Sequence, residues 1–198
     1  MRDRAGAARR VAATIAGVLA LGACVGSIDR DEFDDEVRSR GGGLDGSLVS
    51  DGVDAVAQDL GVEDIEVWSV SIVPGAVTLQ VRLPAQPDAL DSYRYGTSGR
   101  YGGRGLSEPQ PLSTNSASAD MESRVFDPTA VGLDRLDEMV AEAIEAAGLA
   151  GGWASDASTT RGATPGADVV TAITVTDERR TVVVTFGSDG TLLEVTPR

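Results

Sequence analysis

The sequence predicts an α+β fold made of two tandem helix-plus-antiparallel-sheet units packed together. Three observations predict it. Two stretches carry apolar residues at helical spacing, several short runs rich in β-branched residues follow them, and tight-turn dipeptides separate those runs.

In chain order the first element is a leader. Arg2, Arg4, Arg9 and Arg10 precede an uncharged, largely apolar run from Val11 to Ala23, in which small residues lead into Cys24. Such a layout over residues 1–23 is that of a secretory signal. The apolar run is 13 residues long, whereas a spanning helix needs about 20 to cross ~30 Å of hydrocarbon. An export segment is expected here, not a permanent span. Leu21-Gly22-Ala23-Cys24 resembles the bacterial lipobox. The resemblance implies a diacylglycerol on the Cys24 thiol, cleavage before that residue, and in some members acylation of the new amino end. Two acyl chains anchor stably where one binds reversibly. Cys24 is the only cysteine, so no disulfide can form within the chain, and lipidation accounts for the unpaired thiol. The alternative is a buried thiol in an ordinary signal or N-terminal helix.

Residues 24–43 read as a solvated tether: DRDEFDDE from Asp29 to Glu36, then Arg38, Arg40 and three glycines. Asp29, Asp31, Asp34 and Asp35 lack the spacing, glycine and terminal glutamate of a calcium loop, so a spacer is expected and no metal site.

The first unit spans 44–99. Leu48, Val49, Val53, Val56, Ala57 and Leu60 share one face, Ser47 can cap them, and Gly61 can stop them, which predicts a helix over 47–60. Residues 65–73 and 77–83 read as a β-hairpin around Pro74-Gly75, the second run alternating apolar and polar. A short Tyr93-Arg94-Tyr95 segment and the turn Gly96-Thr97-Ser98-Gly99 complete the unit. Residues 100–126, rich in Gly, Ser, Pro and Ala, read as a linker or long loop.

The second unit spans 127–198. Asp127-Pro128 is capping chemistry; Leu133, Leu136, Val140, Ala143, Ile144 and Ala147 form a stripe, and Gly148 ends it, predicting a helix over 129–147. Asp134, Asp137, Glu138, Glu142 and Glu145 form its other face, either a solvated surface or a dock for a basic partner. A polar loop over about 150–167 and three antiparallel strands follow, at 169–176, 179–186 and 191–196, joined at Asp177-Glu178 and Gly187-Ser188-Asp189-Gly190.

The halves share an order of elements, and Tyr95-Gly96-Thr97-Ser98-Gly99 corresponds to Phe186-Gly187-Ser188-Asp189-Gly190. This reads as a duplication of a unit too small to hold much core alone. The second half, with its acidic helix and aromatic-Gly-x-x-Gly turn before a last strand, resembles the PepSY-type modules of bacterial envelope proteins. That resemblance implies a non-catalytic role, binding or inhibiting a partner protein, and carries over no functional residue.

Composition narrows the chemistry. There is no His, and all 17 basic residues are Arg. Imidazole-dependent triads, the P-loop lysine and Schiff-base lysines are therefore excluded, and zinc would have no His or free Cys. No cofactor is expected. The all-Arg, Ala/Gly/Val/Asp-rich usage matches coding by a GC-rich genome, and the whole resembles lipoproteins of actinobacterial type. Net charge is −14, and −17 once residues 1–23 are removed. So acidic a body repels nucleic acid.

Aromatic and cationic groups concentrate only in Tyr93, Arg94, Tyr95, Arg100, Tyr101 and Arg104. Tyr and Arg often anchor interfaces, so this segment is a candidate partner contact; the alternative is that the tyrosines pack on the sheet and the arginines balance carboxylates. Trp68 and Trp153 read as packing residues. The expectation is a non-enzymatic module, lipid-anchored through Cys24 on the extracytoplasmic face of the cell membrane, that binds an exported protein or a cell-wall component. A carboxylate-based hydrolase of wall glycan is the alternative.

Overall fold

The structure is a computed structural model that describes residues 43–98, 103–113, 121–162, 164 and 166–198. The fold is α+β, and most of it is sheet. In chain order it runs α1 (Gly46–Leu60), β1 (Val67–Val73), β2 (Ala76–Leu83), β3 (Gln86–Ser98), β4 (Gly103–Leu106), β5 (Gln110–Leu112), α2 (Met121–Arg124), α3 (Leu136–Ala147), β6 (Trp153–Arg161), β7 (Val169–Thr176), β8 (Thr181–Gly187) and β9 (Leu192–Pro197).

All nine strands belong to one antiparallel sheet in the order β4-β3-β2-β1-β6-β7-β8-β9, with β5 beside β4 on the edge of β3. The two halves do not form separate sheets. They join edge to edge where β1 pairs with β6, from Ser69 opposite Thr160 to Ile72 opposite Ala157. α1 and α3 cover the same face, and Val53, Val56, Leu136 and Ala143 share one continuous core with Val70, Leu79, Ile173, Val184 and Phe186.

The ladders of the two halves have the same register. Val67 faces Val81 and Ala154 faces Val175, and in both strands one extra residue follows, Trp68 or Ser155, as a bulge. In the next ladder of each half, Leu79 faces Tyr93 and Ile173 faces Val184, so Tyr95-Gly96 and Phe186-Gly187 fall at equivalent places.

Local chemistry explains the helix ends. Asp45, not Ser47, caps α1, its carboxylate accepting the Ser47 N–H at 2.9 Å. Gly61 closes the helix in the left-handed region. α1 lies close on the sheet at Gly52, where a Cβ would meet Val77 Cγ1 at 2.7 Å. The second helix is shorter than its stripe predicts. Asp127 caps as expected, accepting Thr129 N–H at 2.7 Å, but only two 3-10 turns follow, Pro128–Ala130 and Leu133–Arg135, before α3 begins at Leu136. Gly132 stands between those turns with φ +61°, a conformation that stops helix propagation.

Two loop readings are corrected. Residues 153–161, read as part of a polar loop, are β6, at the centre of the sheet; the second half thus has four strands and not three. The stretch read as a linker contains β4, β5 and α2, which fold back on the first half. Phe126 exchanges backbone hydrogen bonds with Val67 at 2.9 Å each, and Met121 and Val125 pack with Leu90, Trp68 and Leu112 in a second, smaller core. Leu90 sits opposite Arg82, one residue out of phase with the inward Val81, so this small core lies on the face away from α1. Arg124 stacks its guanidinium 4.0 Å from the Trp68 ring centroid, and Arg82 bridges Glu66 and Glu122.

A buried hydroxyl pair ties β6 to β7. Thr159 and Thr171 are almost fully enclosed and hydrogen-bond to each other at 2.9 Å. Thr159→Val strands the Thr171 hydroxyl and should cost roughly 1–3 kcal/mol, whereas Thr159→Val with Thr171→Val removes both partners and should recover most of it. Urea denaturation of the two single variants and the double closes the cycle; additive losses would refute the pairing.

Candidate interaction site

The structure takes the Tyr/Arg segment apart. Tyr93 is buried under α1, and its hydroxyl pKa is raised by burial, with Asp59 and Asp91 adding to the effect. Tyr95 is half-buried against the same core. Arg94 alternates to the opposite face, where it is exposed. Arg104 on β4 spans the start of α1, pairing with Asp45 and Asp51 at 3.0 Å each. Asp45 is correspondingly held below the usual carboxylate range, first by hydrogen bonding from Ser47 and then by Arg104. Tyr93, Tyr95 and Arg104 lie on the side that α1 covers and Arg94 on the other, and the contacts of Tyr93, Tyr95 and Arg104 are packing or bracing ones. Arg100 and Tyr101 lie outside the described residues, as does Cys24.

The acidic side chains of the second helical stretch, Asp134, Asp137, Glu138, Glu142 and Glu145, are all exposed. Asp137 accepts the Gly46 N–H at 3.3 Å, linking α3 to the start of α1.

Three concavities stand out. One, about 550 Å³, lies at the β7–β8 turn, between Trp153, Gly151, Asp177, Glu178, Arg179 and Arg180. Trp153 is therefore on a central strand lining an open cleft. Asp177 accepts the N–H groups of Arg179 and Arg180 at 2.9 and 2.7 Å and the Arg180 guanidinium. Those bonds, the Arg179 N–H foremost, lower its pKa, so it is held ionised, as an ion-pair partner and not as a proton donor. A second hollow of about 330 Å³ sits where the halves join, between Phe126, Val131, Arg161, Asp168 and Ser188. There Arg161 Nη1 donates to the Ala167 carbonyl at 3.2 Å, while its buried Nε has no partner. The third, about 160 Å³, is an apolar groove between Val49 and Val53 of α1 and Pro128 and Leu133.

The sheet's two edges differ. On one side β4 has four residues, two of them glycine, and β5 carries Pro111. Short strands, proline and a pinned arginine are devices that discourage further pairing. On the other side β9 has six residues and ends the strand order. It carries the exposed large hydrophobic residues of the described chain, Leu193 at 57% and Val195 at 39% exposure, with exposed Glu194 between them. Sequence reading places this strand but not its edge position. The available signal was the order of elements, since the last strand of a meander has a neighbour on one side only.

No family model, curated protein or solved structure matches the chain. By its fold the chain is an α+β protein built on a nine-stranded antiparallel sheet with its two longer helices on one face.

Proposed function

We propose that the protein is a non-catalytic binding module of the bacterial cell envelope, held on the extracytoplasmic face of the cell membrane by lipid on Cys24. The observation that carries this reading is the order of the first 43 residues. A basic stretch, a 13-residue apolar run, Leu21-Gly22-Ala23-Cys24 and an acidic, glycine-ended spacer follow one another. That order describes export, lipidation and a tether. The body behind the tether favours binding over catalysis: it has no imidazole and no amine side chain, and its arginines on β2 and β4 are engaged with carboxylates. The resemblance of the second half to PepSY-type modules points the same way. The partner class is an exported protein or a cell-wall component, and a surface this acidic disfavours nucleic acid.

The test is crosslinking in intact cells followed by capture of the affinity-tagged protein. One reproducible exported or wall-derived partner is the expected result. Recovery of none above an untagged control would overturn the binding assignment.

A further inference from the structure

We infer that the outer edge of β9 receives an extended segment of a partner protein, alternately apolar and basic, as a tenth strand of the sheet. This deepens the binding-module reading and rests on it.

The first ground is backbone chemistry. Arg198 N–H donates to the Thr181 carbonyl at 2.9 Å, and the register continues with Val182 opposite Pro197, Val183 opposite Thr196 and Val184 opposite Val195. Antiparallel pairs alternate between hydrogen-bonded and non-bonded. Thr196 therefore directs its N–H and C=O toward β8, and Val195 directs its own outward. Pro197, the next outward-facing position, has no N–H to leave unpaired. An incoming strand would take the Val195 donor and acceptor as its anchor, in the manner of strand addition.

The side chains supply the second ground. Leu193 and Val195 are the large apolar residues the described chain leaves exposed, and both lie on this one edge strand. Natural sheets usually blunt such an edge, as this sheet does at β4 and β5; on β9 the extra residue at Leu193 and the proline at 197 confine the open stretch to the surroundings of Val195.

Charge selects the occupant. A second copy of this chain fits poorly. Paired through the outward Val195 of each copy, it would set each Glu194 opposite a Thr196, with no opposite charge to meet it. Each copy also brings a net −17 once residues 1–23 are removed, so two copies repel. A basic residue opposite Glu194 beside an apolar residue opposite Val195 satisfies both features at once. The general field of the protein draws such a segment in.

The probe is an end-capped, fluorescein-labelled seven-residue peptide of alternating valine and arginine, titrated against the processed, detergent-solubilised protein and read by anisotropy. Saturable binding is expected, and the matching valine–glutamate peptide should not bind. Val195→Pro removes the outward N–H at an edge position that tolerates proline and should weaken binding roughly tenfold. Leu193→Ser, at an exposed side chain, removes apolar contact without adding charge and should weaken it independently of the backbone. Glu194→Lys should reverse the preference toward the glutamate peptide. Non-saturable binding, or binding indifferent to Val195→Pro and Leu193→Ser, would show simple attraction to an acidic protein and overturn the inference. A concentration-dependent dimer that Val195→Pro abolishes would also overturn it by giving the edge to a second copy. If cellular crosslinking still recovered a partner, the binding-module reading would stand while the edge assignment fell.

Discussion

Replacing Phe186 with alanine should destabilise the protein by about 3–5 kcal/mol, the range for truncating a fully enclosed aromatic. Phe186 has no exposed surface and lies on β8 between Thr171 of β7 and Leu192 of β9, facing the core shared with α3. The ladders on both sides fix the backbone there, so the space left by the ring cannot readily close. A domain of this kind has only about 5–15 kcal/mol to lose. The loss should appear as a lower urea midpoint with an unchanged slope. Tyr95 occupies the equivalent place in the first half, but it is only half-buried, and Tyr95→Ala should cost distinctly less. A Phe186→Ala loss below about 1 kcal/mol, or one matched by Tyr95→Ala, would contradict the packing described.

These two aromatics also show what the sequence could reveal. Their shared context, an aromatic followed by Gly at the end of a strand, is visible in the letters, and the ladders place them at equivalent positions. Helix α1 was legible because six apolar residues mark one face over four turns and Gly61 ends it. The same periodicity overextended the second helix. Hydrophobic spacing tolerates a 3-10 turn and carries no sign of the φ that Gly132 adopts.

β6 was not legible for two physical reasons. Its inward residues Ala154, Ala157 and Thr159 are small or hydroxylated, so the apolar alternation is faint, and the bulge at Ser155 shifts its phase midway. Its place in the core depends on long-range pairing, with Val70 and Ile72 on one side and Val169 to Thr176 on the other. The candidate site was less legible still. Tyr93 and Arg94 are adjacent in sequence and on opposite faces of one strand, so a cluster in the letters became two unrelated environments. Leu193 and Val195 read as ordinary strand residues, because edge position is a property of the whole strand order.

Substituting Cys24 with alanine should move the protein from the membrane fraction to the soluble extracytoplasmic fraction or leave it as an unprocessed precursor. The thiol is the only one in the sequence for thioether attachment of a diacylglycerol. Among the described residues no helix is long and apolar enough to cross a bilayer, and a body of this net charge is repelled by anionic headgroups. Each buried methylene of an acyl chain contributes about 0.8 kcal/mol of membrane affinity, so losing the lipid removes a term that the acidic surface cannot replace. The readout is fractionation with immunodetection, paired with metabolic labelling by an alkynyl fatty acid, which should mark the parent protein and leave Cys24→Ala unlabelled. Leu21→Asp provides the complementary variant: it leaves the thiol intact but disrupts the segment before it, and it should yield unlabelled precursor. A Cys24→Ala protein that is processed, labelled and retained as before would mean that the anchor lies elsewhere, and with it the address on which the binding proposal depends.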